Sequence, residues 1–276
     1  MLAAMLDPLA SLETDGLLIL RDRPFVLDQV EQTLVSADLS RGGTKNISLD
    51  PATGRVGGAA DGADVPALAA LLERYAAWAR SLIADVAPRY APHLQRGRTS
   101  FRPRPVEDGA ASPRRDDRRL HADAFPSQPV GGRRILRVFS NVNPLGEART
   151  WRVGEPFEAY ARRWLPRVRR NLPGEAWALE RLKITKSRRT DYDALMLGLH
   201  DRAKLDGGYQ ATAPRCEVDF PAGSSWIVFT DSVVHAALAG RCALEQTFYL
   251  PVGAMVDEAA APLRILERLT GRRLAP

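Results

Sequence analysis

The chain has 276 residues, 45% of them apolar and 26% charged, which argues against wholesale disorder and leaves room for one large decorated domain. The formal net charge is +6. The two cysteines, Cys216 and Cys242, form no Cys-X-X-Cys pair, so neither a disulfide framework nor a thiolate zinc site is expected.

Asp7, Glu13 and Asp15 interrupt the segment from Met1 to Leu20, which lacks the basic start and apolar stretch of a signal peptide. No run of about twenty uncharged apolar residues exists, so a membrane span is not expected and a soluble cytoplasmic protein is. Gly16 to Leu20 reads as a strand, Phe25 to Leu34 has helical spacing, and Ser40 to Gly62 reads as loop and hairpin. Pro66 to Val86 predicts an amphipathic helix, with Leu68, Leu71, Leu72, Tyr75, Ala79 and Leu82 at steps of three and four. Pro88, Pro92, Pro103 and Pro105 mark a turn-rich stretch. Ile135 to Asn143 is strand-like, Pro156 to Val168 reads as a helix, and Tyr192 to Leu205 as a second helical or mixed segment. Cys216 to Phe220, Ser225 to Phe229 and Cys242 to Leu250 read as strands, and Val256 to Leu269 as a closing helix. The expected fold is mainly β with helical buttresses, on a double-stranded β-helix (jelly-roll, cupin-like) core. Residues 1–97 are expected to form an N-terminal α+β extension packed on the core, and residues 98–276 the core with its C-terminal helix.

The basic excess is rich in arginine. Arg114, Arg115, Arg118, Arg119, Arg133, Arg134 and Arg137 form one group, and Arg162, Arg163, Arg167, Arg169 and Arg170 a second. Such clusters suit an anionic substrate or an anionic membrane surface, and equally a solvated basic face. No helix-turn-helix signature or interleaved aromatic-basic platform is present, so a nucleic-acid partner is not expected.

The segment Arg118-Arg119-Leu120-His121-Ala122-Asp123-Ala124-Phe125-Pro126 is answered about a hundred residues later by Phe229-Thr230-Asp231-Ser232-Val233-Val234-His235. An extended strand points His121 and Asp123 to one face, and His235 follows a turn and an apolar strand. Two imidazoles and one carboxylate in this order are the ligand set of a non-haem Fe(II) site, which leaves three coordination positions open. Arg241 opens the next strand, where a guanidinium pairs well with a cosubstrate carboxylate. Arg137 is the competing candidate, and Asn141 shares its face by the period of two. His200, in Leu197-Gly198-Leu199-His200-Asp201, fits a helix and reads as a capping or solvent-facing group or a substrate group. Trp226 reads as core.

The segments 118–127, 134–144, 151–158, 192–201 and 228–237 together resemble the Kdo hydroxylases, which act on 3-deoxy-D-manno-oct-2-ulosonic acid (Kdo), the acidic sugar of the lipopolysaccharide inner core. The resemblance covers about residues 98–252. It implies an Fe(II)- and 2-oxoglutarate-dependent dioxygenase that uses O2 to hydroxylate C3 of Kdo in a lipid A/lipopolysaccharide inner-core precursor, giving Ko. It implies His121, Asp123 and His235 as iron ligands, with Arg241 or Arg137 at 2-oxoglutarate. A site ringed by Arg118, Arg119 and their neighbours suits an acidic, phosphorylated lipid, and a chain acting on it would sit peripherally on the cytoplasmic face of the inner membrane. The alternatives are an oxygenase for another sugar or small acid, a non-catalytic cupin-like binding protein and, ranked last, a basic nucleic-acid-binding protein.

Overall fold

A computed structural model describes residues 7–42, 44–106, 112–169, 172 and 174–276. The first six residues of the N-terminal segment and Arg170 of the second arginine group lie outside them. In chain order the elements are α1 (Pro8–Asp15), β1 (Leu17–Leu20), α2 (Gln29–Thr33), β2 (Ile47–Leu49), β3 (Val56–Gly57), α3 (Val65–Val86), β4 (Gln95–Arg102), β5 (Arg134–Asn141) and β6 (Arg149–Val153). There follow α4 (Phe157–Trp164), α5 (Glu175–Arg181), α6 (Asp191–Leu205), α7 (Gly207–Thr212), β7 (Cys216–Phe220), β8 (Ser225–Phe229), β9 (His235–Ala239), β10 (Ala243–Leu250) and α8 (Pro262–Thr270).

Two antiparallel sheets face each other. The larger runs β1-β8-β5-β10-β4-β2-β3 and the smaller β7-β6-β9, so that β6 is central in the small sheet and β7 is one of its edges. Aromatic rings fill the space between the sheets. Trp226, fully buried, stacks on Phe220 with centroids 4.0 Å apart and on Phe139 at 5.1 Å, and Trp151 meets it edge-on. α3 covers the outer face of the large sheet. Asp64 caps it by accepting the Ala67 N–H at 3.0 Å, and its Leu68, Leu71, Leu72 and Tyr75 join Ile47, Phe101 and Leu244 in one buried cluster. Burying each such side chain contributes roughly 1.5–3 kcal/mol.

Several expected elements move. The expected helix from Phe25 shrinks to α2, because Asp28 forms a capping box with Glu31 and ends the non-helical approach. The C-terminal helix starts only at Pro262, after short 3₁₀ turns. The turn-rich stretch contains β4, and β6 and β9 are two further strands that periodicity does not announce. The proposed boundary at residue 97 falls inside β4, and β1, β2 and β3 from the N-terminal part extend the large sheet at both edges.

One buried ion pair fixes the turn between β8 and β9. Arg134 donates from Nε to Asp231 Oδ2 at 2.8 Å and from Nη2 to Oδ1 at 3.1 Å, with both side chains almost fully buried. The guanidinium also lies over the Phe229 ring, 3.8 Å from its centroid. Next to Asp231, the Thr230 N–H donates to Ile135 O at 3.1 Å. Removing one partner of a pair this dry leaves an uncompensated charge. Arg134→Met is therefore expected to destabilise the fold by about 3–5 kcal/mol, and Arg134→Met/Asp231→Leu to recover most of that loss. Denaturant titrations of both variants check this; a single variant within about 1 kcal/mol of the parent would contradict the argument.

Candidate metal centre

The site is built where a short extended segment joins the small sheet. The His121 N–H donates to His235 O at 3.0 Å, the His235 N–H returns the bond to His121 O at 2.8 Å, and the Ala237 N–H donates to Asp117 O at 2.8 Å. Residues 117–121 thus run antiparallel to β9 on the side away from β6. The amide of Gln210 on α7 steadies this segment, accepting the Leu120 N–H at 2.8 Å and donating to Leu120 O at 3.0 Å. The Asp123 N–H then donates to Thr230 O at 2.7 Å, in the turn that Arg134 and Asp231 hold.

The result brings one donor atom each of His121, Asp123 and His235 within 4.8 Å of one another, all buried. His121 Nδ1 lies 2.7 Å from Arg119 O, and His235 Nδ1 lies 2.8 Å from Val233 O. A carbonyl only accepts, so both Nδ1 atoms carry the proton and both Nε2 atoms keep a free lone pair. Trp151 stacks on the His235 ring at 4.9 Å and fixes its plane. Burial pushes His121 down to about 3, with the neighbouring His235 adding to the fall, and burial also lowers His235. Burial works to raise Asp123, but the Arg137 guanidinium and the His121 and His235 rings together outweigh it and hold the carboxyl well below its usual range. Two neutral imidazoles and an ionised carboxylate are the protonation states a divalent metal requires. Asp123 Oδ2 is buried without a hydrogen bond of good geometry, although Arg137 Nη2 is 3.0 Å away. The donor set therefore fits Fe(II).

A line of alternating charges leads away from Asp123. Arg137 Nη1 lies 3.0 Å from Glu245 Oε1, Arg102 donates to Glu245 Oε2 from Nε at 2.9 Å, and Lys45 Nζ lies 3.0 Å from Asp117, whose carboxylate faces Arg102 at 4.0 Å. Arg149 stands beside this line. It is buried, its Nε has no partner, its Nη1 donates only to Gly240 O at 3.3 Å, and among the described residues it forms no ion pair. Burial and the like charge of Arg102 lower Arg149 to about 10. Gly240 makes this packing possible: at φ 95°, its hydrogen faces Arg149 Cα at a point where a Cβ would be 2.7 Å away.

The other candidates fall in different places. Arg137 contacts the triad directly. Arg241 lies in the β9–β10 loop, half-buried, with Nε 3.5 Å from Glu147. The Asn141 amide donates to Glu147 O and Phe220 O and accepts the Asn143 N–H, so it closes a loop. His200 on α6 meets the His121 ring edge-on at 5.2 Å and is paired with Asp201 at 3.0 Å. Arg119 donates to Lys204 O at 2.7 Å, and Arg118 is half-buried. Arg102, Arg149 and Glu245 are not singled out by the sequence; the only hint is a charge alternating with apolar residues inside a strand.

A His-Asp-His set carried between the sheets of a double-stranded β-helix defines the class of the non-haem iron oxygenases. Within that class, the model of the 3-deoxy-D-manno-oct-2-ulosonic acid (Kdo) hydroxylase family matches residues 5–273, and the chain belongs to this family. Solved structures of the Kdo hydroxylase KdoO, a non-haem Fe(II) α-ketoglutarate-dependent dioxygenase, are similar over 97% of this chain and 90% of theirs. The complex with α-ketoglutarate and Fe(III) is 42% identical with a TM-score of 0.91, the cobalt(II) complex 43% with 0.92, and the apo form 43% with 0.91. No curated protein matches the chain significantly.

The depressed histidines set a pH dependence for the metal-free protein. Below the ordinary imidazole value of 6.5 the unfolded chain takes up protons that the folded site refuses, so stability falls as pH drops from 6.5 towards 3. The depressed carboxylates add to this only below the ordinary carboxylate values of 3.8 and 4.5. Thermal melts between pH 6.5 and 4.5 should therefore show a fall that His121→Asn flattens by about half. An unchanged slope in that variant would count against burial of a neutral imidazole.

Proposed function

We propose that the chain is an Fe(II)- and 2-oxoglutarate-dependent dioxygenase that hydroxylates C3 of Kdo in a lipid A/lipopolysaccharide inner-core precursor to give Ko, working peripherally at an anionic membrane surface. The observation that carries the reading is the convergence of two Nε2 lone pairs and one ionised carboxylate in a buried cleft of a Kdo hydroxylase chain. When bound, iron supplies the redox chemistry that couples O2 to loss of CO2 from 2-oxoglutarate and to oxidation of a C–H bond.

The residues of the chain hold, orient and exclude water. His121, Asp123 and His235 are the ligands in this reading, with the two Nδ1–H bonds to backbone carbonyls fixing the ring planes. Arg137 draws Asp123 Oδ2 to itself and leaves Oδ1 on the side of His121, where it stands 3.5 Å from Nε2. Arg149 is the group we assign to the far carboxylate of 2-oxoglutarate, in preference to Arg241 and Arg137. A buried cation with no counter-ion is best satisfied by an incoming anion, whereas Arg137 already serves Asp123 and Glu245 and Arg241 faces Glu147. The aromatic packing of Trp151, Phe139 and Trp226 keeps the adjoining space dry. His200, Arg118 and Arg119, near the outer side of His121, are the candidates for contact with the sugar acid.

Anaerobically prepared, Fe(II)-loaded protein should form succinate with O2 and 2-oxoglutarate, and a Kdo-bearing lipid A precursor should gain one oxygen in step with it. His121→Ala, Asp123→Ala and His235→Ala are expected to abolish succinate while the far-ultraviolet circular dichroism is kept. Retained turnover in all three would sink the assignment. Arg149→Met should raise the KM for 2-oxoglutarate at least about tenfold and Arg241→Met by much less, since loss of a buried charge partner costs several-fold more than loss of a half-buried one already facing a carboxylate. The reverse order would return the cosubstrate to Arg241.

A further inference from the structure

A surface away from the metal centre combines exposed apolar side chains with unpaired cations. Trp177 on α5 is 58% exposed, while Trp151, Trp164 and Trp226 are buried and Trp78 is half-buried. At and just beyond the end of the helix, Arg181, Leu182, Lys183 and Ile184 are consecutive exposed residues alternating cation and hydrocarbon, Leu182 being 69% and Ile184 54% exposed. Residues 175–189 contain five Lys or Arg against two Glu. Arg181, Lys183 and Arg188 make no ion pair among the described residues, in contrast to the arginines around the metal centre, most of which are engaged internally. Trp177 and Arg188 line a groove of about 590 Å³.

The backbone beneath this patch is unusual. α5 ends with the Ile184 N–H bonded to Leu179 O and the Lys183 N–H bonded to Glu180 O, both at 2.9 Å. This double closure places one residue in the left-handed region, where glycine is the ordinary choice. Here it is Lys183, at φ 56°. The ordinary closure also tucks the following apolar residue against the helix, yet Ile184 stays exposed. A strained cation and an outward hydrocarbon at adjacent positions are poor choices for a solvated turn and good ones for a surface that is greasy within and anionic at its rim.

The patch is tied to the segment that carries Asp123. The Lys186 N–H donates to Ser127 O at 2.9 Å and Arg189 Nη2 donates to Pro126 O at 2.7 Å, a few residues after Asp123 in the same segment. Phe125 in that segment lies beneath the Arg137 guanidinium, 5.5 Å from ring centroid to carbon.

We propose that Trp177, Leu182 and Ile184, flanked by Arg181, Lys183 and Arg188, insert at the interface of an anionic lipid bilayer and hold the segment that carries Asp123 close to it. This rests on the reading that the sugar acid is attached to a lipid. It places the membrane contact on the α5 segment and not on the arginines that ring the metal.

The test uses the full-length protein with phosphatidylcholine vesicles, with and without added phosphatidylglycerol, and measures bound protein by sedimentation and tryptophan emission. Expected are salt-sensitive binding at least about tenfold tighter to the anionic vesicles, and a blue shift that Trp177→Phe removes. Leu182→Ser/Ile184→Ser should weaken binding about tenfold. Lys183→Gly relieves the left-handed backbone, so it should melt no lower than the parent and still bind anionic vesicles less tightly. Equal binding to both vesicle types, or unchanged binding by the double variant and Lys183→Gly, overturns the proposal. Succinate formed with the Kdo-bearing lipid A precursor dispersed in detergent separates the two readings. Turnover without vesicle binding defeats the docking surface alone; vesicle binding with the expected mutational pattern but no Kdo-dependent turnover supports the surface and removes the proposed reaction.

Discussion

The pair of backbone hydrogen bonds exchanged by His121 and His235 is the constraint on which the rest of the site depends. Two residues about a hundred positions apart are brought to adjacent places on neighbouring strands, so their side chains emerge side by side, with ring centroids 4.7 Å apart. Everything around the pair serves to keep those two bonds in place. Gln210 stands in for a strand neighbour that the 117–121 segment lacks, and the Gly154 N–H holds the other side of the β9 approach through Val234 O at 2.7 Å. Asp123 is delivered by the next hydrogen bond along, to Thr230, and Thr230 is held by β5 and by the buried Arg134–Asp231 pair. The metal-binding geometry is thus a property of sheet register, and register is set across the whole width of both sheets.

Electrostatics complete what register begins. Several charges, buried or half-exposed, line the cleft, and among the described residues most have an opposite charge within reach: Asp123 with Arg137, Arg137 with Glu245, Glu245 with Arg102, Asp117 with Lys45, while the buried Lys204 donates to Arg114 O at 3.1 Å. Such a line holds side chains in fixed rotamers and keeps Asp123 ionised. Among the described arginines of the cleft Arg149 is the exception, and its lack of an anion is what distinguishes it from the many arginines nearby. Fixed, pre-oriented donors of this type lower the cost of recognition because nothing must rearrange when the anion arrives.

The His-Asp-His cluster was legible in the sequence because its pattern is local: a histidine and an aspartate two apart, then a histidine after a turn and an apolar strand. The long helix α3 and the strands β5, β8 and β10 were legible for the same reason, since their periodicity is written in consecutive residues. β4 was not, because Gln-Arg-Gly-Arg-Thr-Ser-Phe-Arg is polar; Arg102 is accommodated in the interior by Glu245 on the neighbouring strand, a long-range partner that no local window contains. β9 was hidden in another way. His-Ala-Ala-Leu-Ala favours a helix by propensity, and it is extended only because hydrogen-bonding partners wait on both sides. Arginine-rich composition pointed to the region around the motif as an anion site, whereas most of those guanidinium groups are engaged within the protein.

Among the described residues, the small sheet has one strand, β7, whose outer side bonds to no other strand. An open edge of this type is a template on which a second chain can add, and a flat apolar one invites polymer growth. β7 is five residues long and carries Glu217 and Asp219, paired across the sheet with Arg152 and Thr150 at 3.1 and 2.6 Å. A second copy approaching in register would bring like carboxylates together. Two acidic side chains thus make this edge a poor template for strand addition by a second copy, in a protein whose overall charge is positive.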